Sequence, residues 1–247
     1  MITLSFRAPR EGVLAMKVEH YRGTFHDPRF PLNEAPAALE VTEEPACLRI
    51  RTGHMEAVIQ KVPFRLDLYS NGRQLTGFGH RHGGYATTPA GTYCRVKLDV
   101  DIAEKIYGLG ERFTPFVKNG QSVDIWNEDG GTSSEQAYKN IPFHLSSKGY
   151  GMLVNHRGRV SYEICSEAVE SLQASVPGES MELIFFGSQD GTMAPVLKDY
   201  TDLTGKPGLP PAWSFGLWLT TSFTTDYREE TILSFVDGMA ARKIPLH

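Results

Sequence analysis

The sequence predicts a mainly β protein, an antiparallel β-sandwich followed by the opening strand and helix of a βα repeat. Short apolar runs with a period near two fill residues 1 to about 190, each bounded by Gly, Pro, Asn or Asp. The first helical pattern comes only at Thr192–Gly205. The proline- and glycine-rich stretch Lys206–Ala212 then separates this region from an apolar run, a polar loop and an amphipathic helix.

The strands can be read in order. Ile2, Leu4 and Phe6 alternate, as do Phe64, Leu66 and Leu68, which run into Asn71-Gly72, a pair that accepts the positive φ of a tight hairpin. Val96, Leu98 and Val100 alternate, and so do Ile141, Phe143 and Leu145, before Gly149-Tyr150-Gly151 turns the chain into Met152-Leu153-Val154. Two packed antiparallel sheets would bury so many one-sided strands. In the helix that follows, Met193, Val196, Leu197, Tyr200 and Leu203 share a face, with Thr192 as its cap, Pro195 in the first turn and Gly205 at its end.

Beyond the boundary, Trp213–Leu219 reads as a strand buried on both faces. Ile232, Phe235, Val236, Met239 and Ala240 recur at helical spacing, and Ile244-Pro-Leu begins a further apolar segment. The expected domains are therefore residues 1–205 and residues 206–247. The second is far shorter than the ~250 residues of a complete (β/α)8 barrel, so a fragment is expected.

A composition of 40% hydrophobic and 22% charged residues describes an ordinary globular chain. The 25 basic and 29 acidic residues give a net charge of −4 with no Lys/Arg cluster, which argues against nucleic acid. No apolar run reaches membrane-spanning length and no signal-peptide pattern opens the chain, so no membrane partner and a cytoplasmic location are expected. Three scattered cysteines, Cys47, Cys94 and Cys165, fit free thiols in a reducing compartment.

Several segments could carry chemistry. Tyr107-Gly-Leu-Gly-Glu-Arg112 reads as a glycine-rich turn, because no helix with a third glycine follows to bind phosphate. Trp126-Asn-Glu-Asp-Gly-Gly-Thr-Ser133 is either a surface turn or a sugar-recognition loop, in which a ring covers a pyranose face and short polar groups meet its hydroxyls. His80 and His82 are two apart on an extended segment and would point to opposite faces, so a solvated loop is preferred to a metal pair. Glu111, Asp129 and Asp226 are the candidate carboxylates, and a retaining glycosidase needs two about 5–5.5 Å apart.

Five blocks, in order, resemble the α-xylosidases of glycoside hydrolase family 31: Tyr107–Arg112, Trp126–Ser133, Ala137–Phe143, Gly149–His156 and Pro210–Phe223. The resemblance implies a galactose-mutarotase-like β-sandwich followed by the first βα unit of a (β/α)8 barrel. It implies that Asp129 reaches into the substrate pocket, and that Phe223 lines the sugar subsite and crowds the hydroxymethyl group that distinguishes glucose from xylose. Those two residues are expected to converge on one wall of a xylose-sized cavity.

The family's nucleophile and acid/base, both aspartates, sit on later barrel strands, so no catalytic residue is assigned here and the chain alone is expected to be inactive. Family members also begin earlier than Ile2, so strands of the front sheet are expected to be missing. The implied partner is an α-xyloside or α-glucoside oligosaccharide. Neither a cofactor nor a metal is required, and assembly as a homo-oligomer is left open. The alternatives are an α-glucosidase of the same family and a non-catalytic carbohydrate-binding or sugar-epimerising sandwich.

Overall fold

The computed structural model describes residues 2–20, 29–128, 135–218 and 225–246. The chain divides into two compact units, Met1–Gly205 and Lys206–His247.

The first unit holds three sheets where alternation alone predicted two. The largest has the order β1 (Thr3–Arg10), β2 (Val13–Glu19), β16 (Ser180–Gly187), β13 (Tyr150–Val154), β12 (Phe143–Ser146) and β10 (Ile106–Gly108). The second runs β11 (Gln121–Ile125), β14 (Val160–Ile164), β15 (Ser171–Pro177), β9 (Gly91–Asp99) and β8 (Gly83–Thr88). The third is a meander of β3 (Glu40–Glu43), β4 (Cys47–Thr52), β5 (Met55–Gln60), β6 (Arg65–Ser70) and β7 (Arg73–Gly79). Every pairing of these strands is antiparallel. The third sheet is separate because β3–β7 pair only with one another, although their inward residues Met55, Leu66, Leu68 and Phe78 join the shared core.

The largest sheet is buried on both faces. Along β16, Leu183 and Phe185 enter the core shared with the other sheets, while Ile184 and Phe186 face the helix α1 (Met193–Thr204). Tyr200 of that helix stacks on Phe143 at 4.0 Å between ring centroids. This double burial explains why β13 and β16 are nearly continuous apolar runs, whereas β9 alternates.

The hairpin at Asn71-Gly72 forms as expected, with φ of 50° and 77°. Val196 and Leu203 of α1 are buried as expected, but Leu197 is exposed. Thr192 does not cap the helix with its side chain. Its amide and hydroxyl instead donate to Asp190 Oδ1, both at 2.9 Å, and these bonds hold the Asp190 carboxyl below its ordinary pKa. Ile141 lies outside β12 and is exposed, so the alternation there begins at Phe143. His80-Arg-His82 is the turn between β7 and β8, and no group of metal-ligating side chains occurs among the described residues.

In the second unit, residues 213–218 do not form the expected strand. A short 3-10 helix spans Ala212–Phe215, and Trp213 and Phe215 are exposed. A strand must hydrogen bond to a neighbour, and no strand forms among the described residues of this unit. The segment satisfies itself locally instead, with the Gly216 amide donating to Trp213 O at 3.0 Å. The helix α2 (Glu229–Ala241) forms with Ile232, Phe235 and Val236 exposed, and Ile244–Leu246 is not a strand. Asp226 serves the start of this helix. The Thr231 side chain and the Arg228 amide, the latter at 3.1 Å, hold its carboxyl below the ordinary value.

The core encloses one unusual group. His144 on β12 is fully buried, neither ring nitrogen has a partner among the described residues, and the ring packs edge-on against Tyr150 and Tyr162. Desolvation pushes its pKa from 6.5 down to about 3. The unfolded chain therefore binds this proton more tightly than the folded one. The associated stability is complete above pH 6.5 and is lost as pH falls toward 3. Urea unfolding across that range is expected to show the wild-type chain losing a few kcal/mol more than His144→Phe, which keeps the aromatic packing and removes the titration.

Candidate functional site

The site begins with a kink. From the last residue of β10, which pairs with β12, Gly108, Leu109 and Gly110 take successive positive φ values of 97°, 67° and 88°. A Cβ on Gly110 would sit 1.9 Å from Lys139 O, so only glycine lets the two backbones touch. Two bonds fasten this approach: the Leu109 amide donates to Phe143 O and the Glu111 amide to Lys139 O, each at 2.9 Å.

The kink delivers Arg112 to the root of a long loop. Its Nε donates to Leu109 O at 3.2 Å, Nη1 to Glu135 O at 3.1 Å and Nη2 to Asp124 O at 2.5 Å, and Nη2 also meets Asn140 Oδ1. Burial lowers the Arg112 pKa, while nearby Asp124 and Glu135 oppose the shift. Asn140 completes the clamp. Its Nδ2 donates to Trp126 O at 2.8 Å, Asn127 Oδ1 at 3.0 Å and Ala137 O at 2.6 Å. A parallel bridge between Asn127 and Ala137, and a 3.1 Å bond from the Glu128 amide to Ala137 O, close the two sides together.

Trp126 lines two cavities at this root. One, of about 380 Å³, is polar and includes Arg112, Asp124, Glu128 and Arg159. The other, of about 300 Å³, includes Phe30, Asn127, His156 and Arg157. The Arg159 guanidinium carbon sits 5.6 Å from the Trp126 ring centroid, and Arg159 also pairs with Asp124 at 2.8 Å. An exposed ring beside short polar side chains can cover the apolar face of a sugar and bond its hydroxyls.

Of the residues singled out from the sequence, Asp129 and Phe223 lie outside the described residues. Glu111 forms an exposed ion pair with Lys139 at 2.9 Å and lines neither cavity. Sequence reasoning missed Arg112 and Asn140 as organisers of the loop. The signal was an arginine two residues after the Gly108-Leu109-Gly110 kink, in a block read as a glycine-rich turn and as part of the family resemblance but not as an anchor for the loop.

The family model for the glycosyl hydrolase 31 N-terminal galactose mutarotase-like domain matches residues 3–163. The chain belongs to glycosyl hydrolase family 31. This family 31 chain is 46% identical to an α-xylosidase of Emericella nidulans over 97% of its own length, and 47% identical to the α-xylosidase XylQ of Lactiplantibacillus pentosus over 99%. It spans 34% and 32% of those relatives, about a third of each. An α-glucosidase of Bacillus thermoamyloliquefaciens is more distant, at 29% identity over 73% of the chain.

Among solved structures, a Flavobacterium johnsoniae family 31 dextranase complexed with isomaltotriose shares the fold with a TM-score of 0.84 at 22% identity, covering 99% of this chain and 30% of that one. A soil-metagenome family 31 α-xylosidase complexed with xylose gives 0.80 at 18%, covering 98% and 38%.

Arg112→Lys keeps the charge but loses the planar fork. It is expected to accelerate amide hydrogen exchange at Glu128 and Asn140 while β13 and β16 stay protected. Gly110→Ala is expected to lower unfolding stability by more than ~2 kcal/mol, through the clash and the left-handed φ together, whereas Gly72→Ala, with open space around it, costs about 1 kcal/mol.

Proposed function

We propose that this chain is the front part of a retaining α-xylosidase that removes non-reducing α-linked xylose from xyloglucan-type oligosaccharides. One observation carries this choice of substrate. Two relatives named as α-xylosidases, one fungal and one bacterial, match nearly the whole chain at 46–47% identity, while the α-glucosidase relatives match less of it at under 30%.

In this reading the sandwich is a scaffold and the loop rooted at Trp126 carries Asp129 to the sugar. Phe223 closes the space that a hydroxymethyl group would occupy. The reaction is a double displacement through a glycosyl-enzyme ester, using two carboxylates of the barrel about 5–5.5 Å apart. Those carboxylates belong to barrel strands beyond the βα unit that residues 206–247 would begin, so the 247 residues bind and orient but do not react. A cytoplasmic setting accompanies this reading and is supported by three free thiols. The second reading is an α-glucosidase of the same family, favoured by the glucosidase relatives alone.

The test compares aryl α-xyloside and aryl α-glucoside hydrolysis by the intact enzyme. The xyloside is expected to be preferred by at least about tenfold in kcat/KM, the discrimination one extra carbon group in a tight pocket supplies, and Phe223→Ala is expected to narrow that gap. A glucoside preference would replace the proposal with the second reading. The 247-residue chain alone is expected to give no turnover above a buffer blank.

A further inference from the structure

We propose that Asn71, at the tip of the β6–β7 hairpin, is a self-modification site at which the folded chain converts its own side-chain amide to an isoaspartyl linkage. The site is independent of the substrate assigned above. An asparagine followed by glycine can be attacked by its own backbone. The glycine nitrogen loses its proton and bonds to the asparagine Cγ, Nδ2 leaves as ammonia, and a cyclic succinimide forms. Water then opens the ring at one carbonyl to give aspartate, or at the other to give isoaspartate, in which the main chain runs through Cβ and Cγ. Glycine suits the step because it has no Cβ to obstruct the approach.

The chain has two such pairs, Asn71-Gly72 and Asn119-Gly120, and the structure separates them. Asn71 and Gly72 are both exposed, and a Cβ on Gly72 would meet nothing within 4 Å. The Asn71 carboxamide has no hydrogen-bond partner among the described residues, and the Gly72 amide donates to no backbone carbonyl there. One bond steadies the tip, from the Asn71 amide to His54 O at 2.8 Å. Opening that bond and rotating the Asn71 carbonyl lets the Gly72 nitrogen reach Cγ, a local motion that needs no unfolding of the strands.

Asn119 is the opposite case. Its Oδ1 accepts from the Ile106 amide at 2.9 Å, and its Nδ2 donates to Glu104 O at 2.9 Å and to Cys165 Sγ at 3.5 Å. The Gly120 amide donates to Ile164 O at 2.6 Å. Every group that the reaction must move is already bonded, so attack there requires several bonds to break together. At Asn71 the product does not fit the turn that makes it. Isoaspartate adds a main-chain carbon and a negative charge to a two-residue loop whose length sets the pairing of Ser70 with Arg73. Ser70 Oγ donates to Ser188 O at 2.8 Å, and Arg73 donates to Ser188 O at 2.9 Å and to Lys148 O. Conversion therefore loosens a seam between the β3–β7 meander and the end of β16.

The experiment holds the 247-residue chain in mildly alkaline buffer, with a parallel sample in urea, and follows both asparagines by peptide mapping and mass spectrometry. An isoaspartyl carboxyl methyltransferase is the probe for the rearranged product. In the folded chain Asn71 is expected to convert at least about tenfold faster than Asn119, whose bonds must open first. In urea the two are expected to convert at matching rates. The purified converted chain is expected to exchange its Arg73 amide severalfold faster than the unconverted one while β9 and β15 stay protected. Asn71→Asp, which adds the charge without the extra carbon, is expected to leave that exchange unchanged.

Equal rates in the folded chain, faster conversion at Asn119, or a rate gap that persists in urea would overturn the site. Unchanged exchange at Arg73 after conversion, or equal loosening by Asn71→Asp, would overturn the account of what the rearranged backbone does.

Discussion

The described sides of the segment from Trp126 to Asn140 are held together because one guanidinium grips both of them. Arg112 donates to Asp124 O ahead of the near side and to Glu135 O and Asn140 Oδ1 on the far side, and Asn140 carries the restraint on to Trp126, Asn127 and Ala137. A planar fork suits this task because its donors radiate in fixed directions, and half-burial makes each bond harder for water to replace. The clamp itself depends on the backbone contact at Gly110, where any side chain would collide with Lys139 O. Glycine, arginine and asparagine therefore act as one device that ties Trp126–Glu128 to Glu135–Asn140.

The device is useful only if its base does not move. That base is the end of β12, a strand whose four residues are all buried. Helix α1 covers the largest sheet on one side and the core shared by three sheets covers it on the other, so Phe143 touches Tyr200 outward while His144 packs against Tyr150 and Tyr162 inward. A strand packed on both faces has little room to shift, which makes it a firm anchor for the kink that begins opposite it at Gly108. The same packing strands in the core a histidine without a hydrogen-bond partner among the described residues, and the fold bears that cost at neutral pH by keeping the ring uncharged.

Much of this was legible in the sequence where the governing physics is local. Alternation found β6 and β9, the Asn71-Gly72 pair specified a turn with two positive φ values, and the spacing of Val196 and Leu203 marked the buried face of α1. Choices among competing partners were not legible. Period two says that a strand has a buried side but not which strand lies next to it, so the separate β3–β7 meander was invisible. Asp190 took both polar groups of Thr192, a competition that spacing cannot rank. Residues 213–218 have a strand's composition and no strand to pair with among the described residues of their unit, so they curl instead. At the site, the Trp126 segment stood out by its chemistry, but Arg112 acts through carbonyl oxygens far along the chain and leaves no pattern in its neighbours.

Under the proposed function, Arg112 serves the sugar through the segment to which Asp129 belongs. A double-mutant cycle on kcat/KM for an aryl α-xyloside in the intact enzyme, with Arg112→Lys, Asp129→Asn and both together, tests it most directly. If the clamp acts through that loop, the double variant will be scarcely worse than Asp129→Asn alone. Losses that simply multiply would show the two residues working independently and would contradict the account.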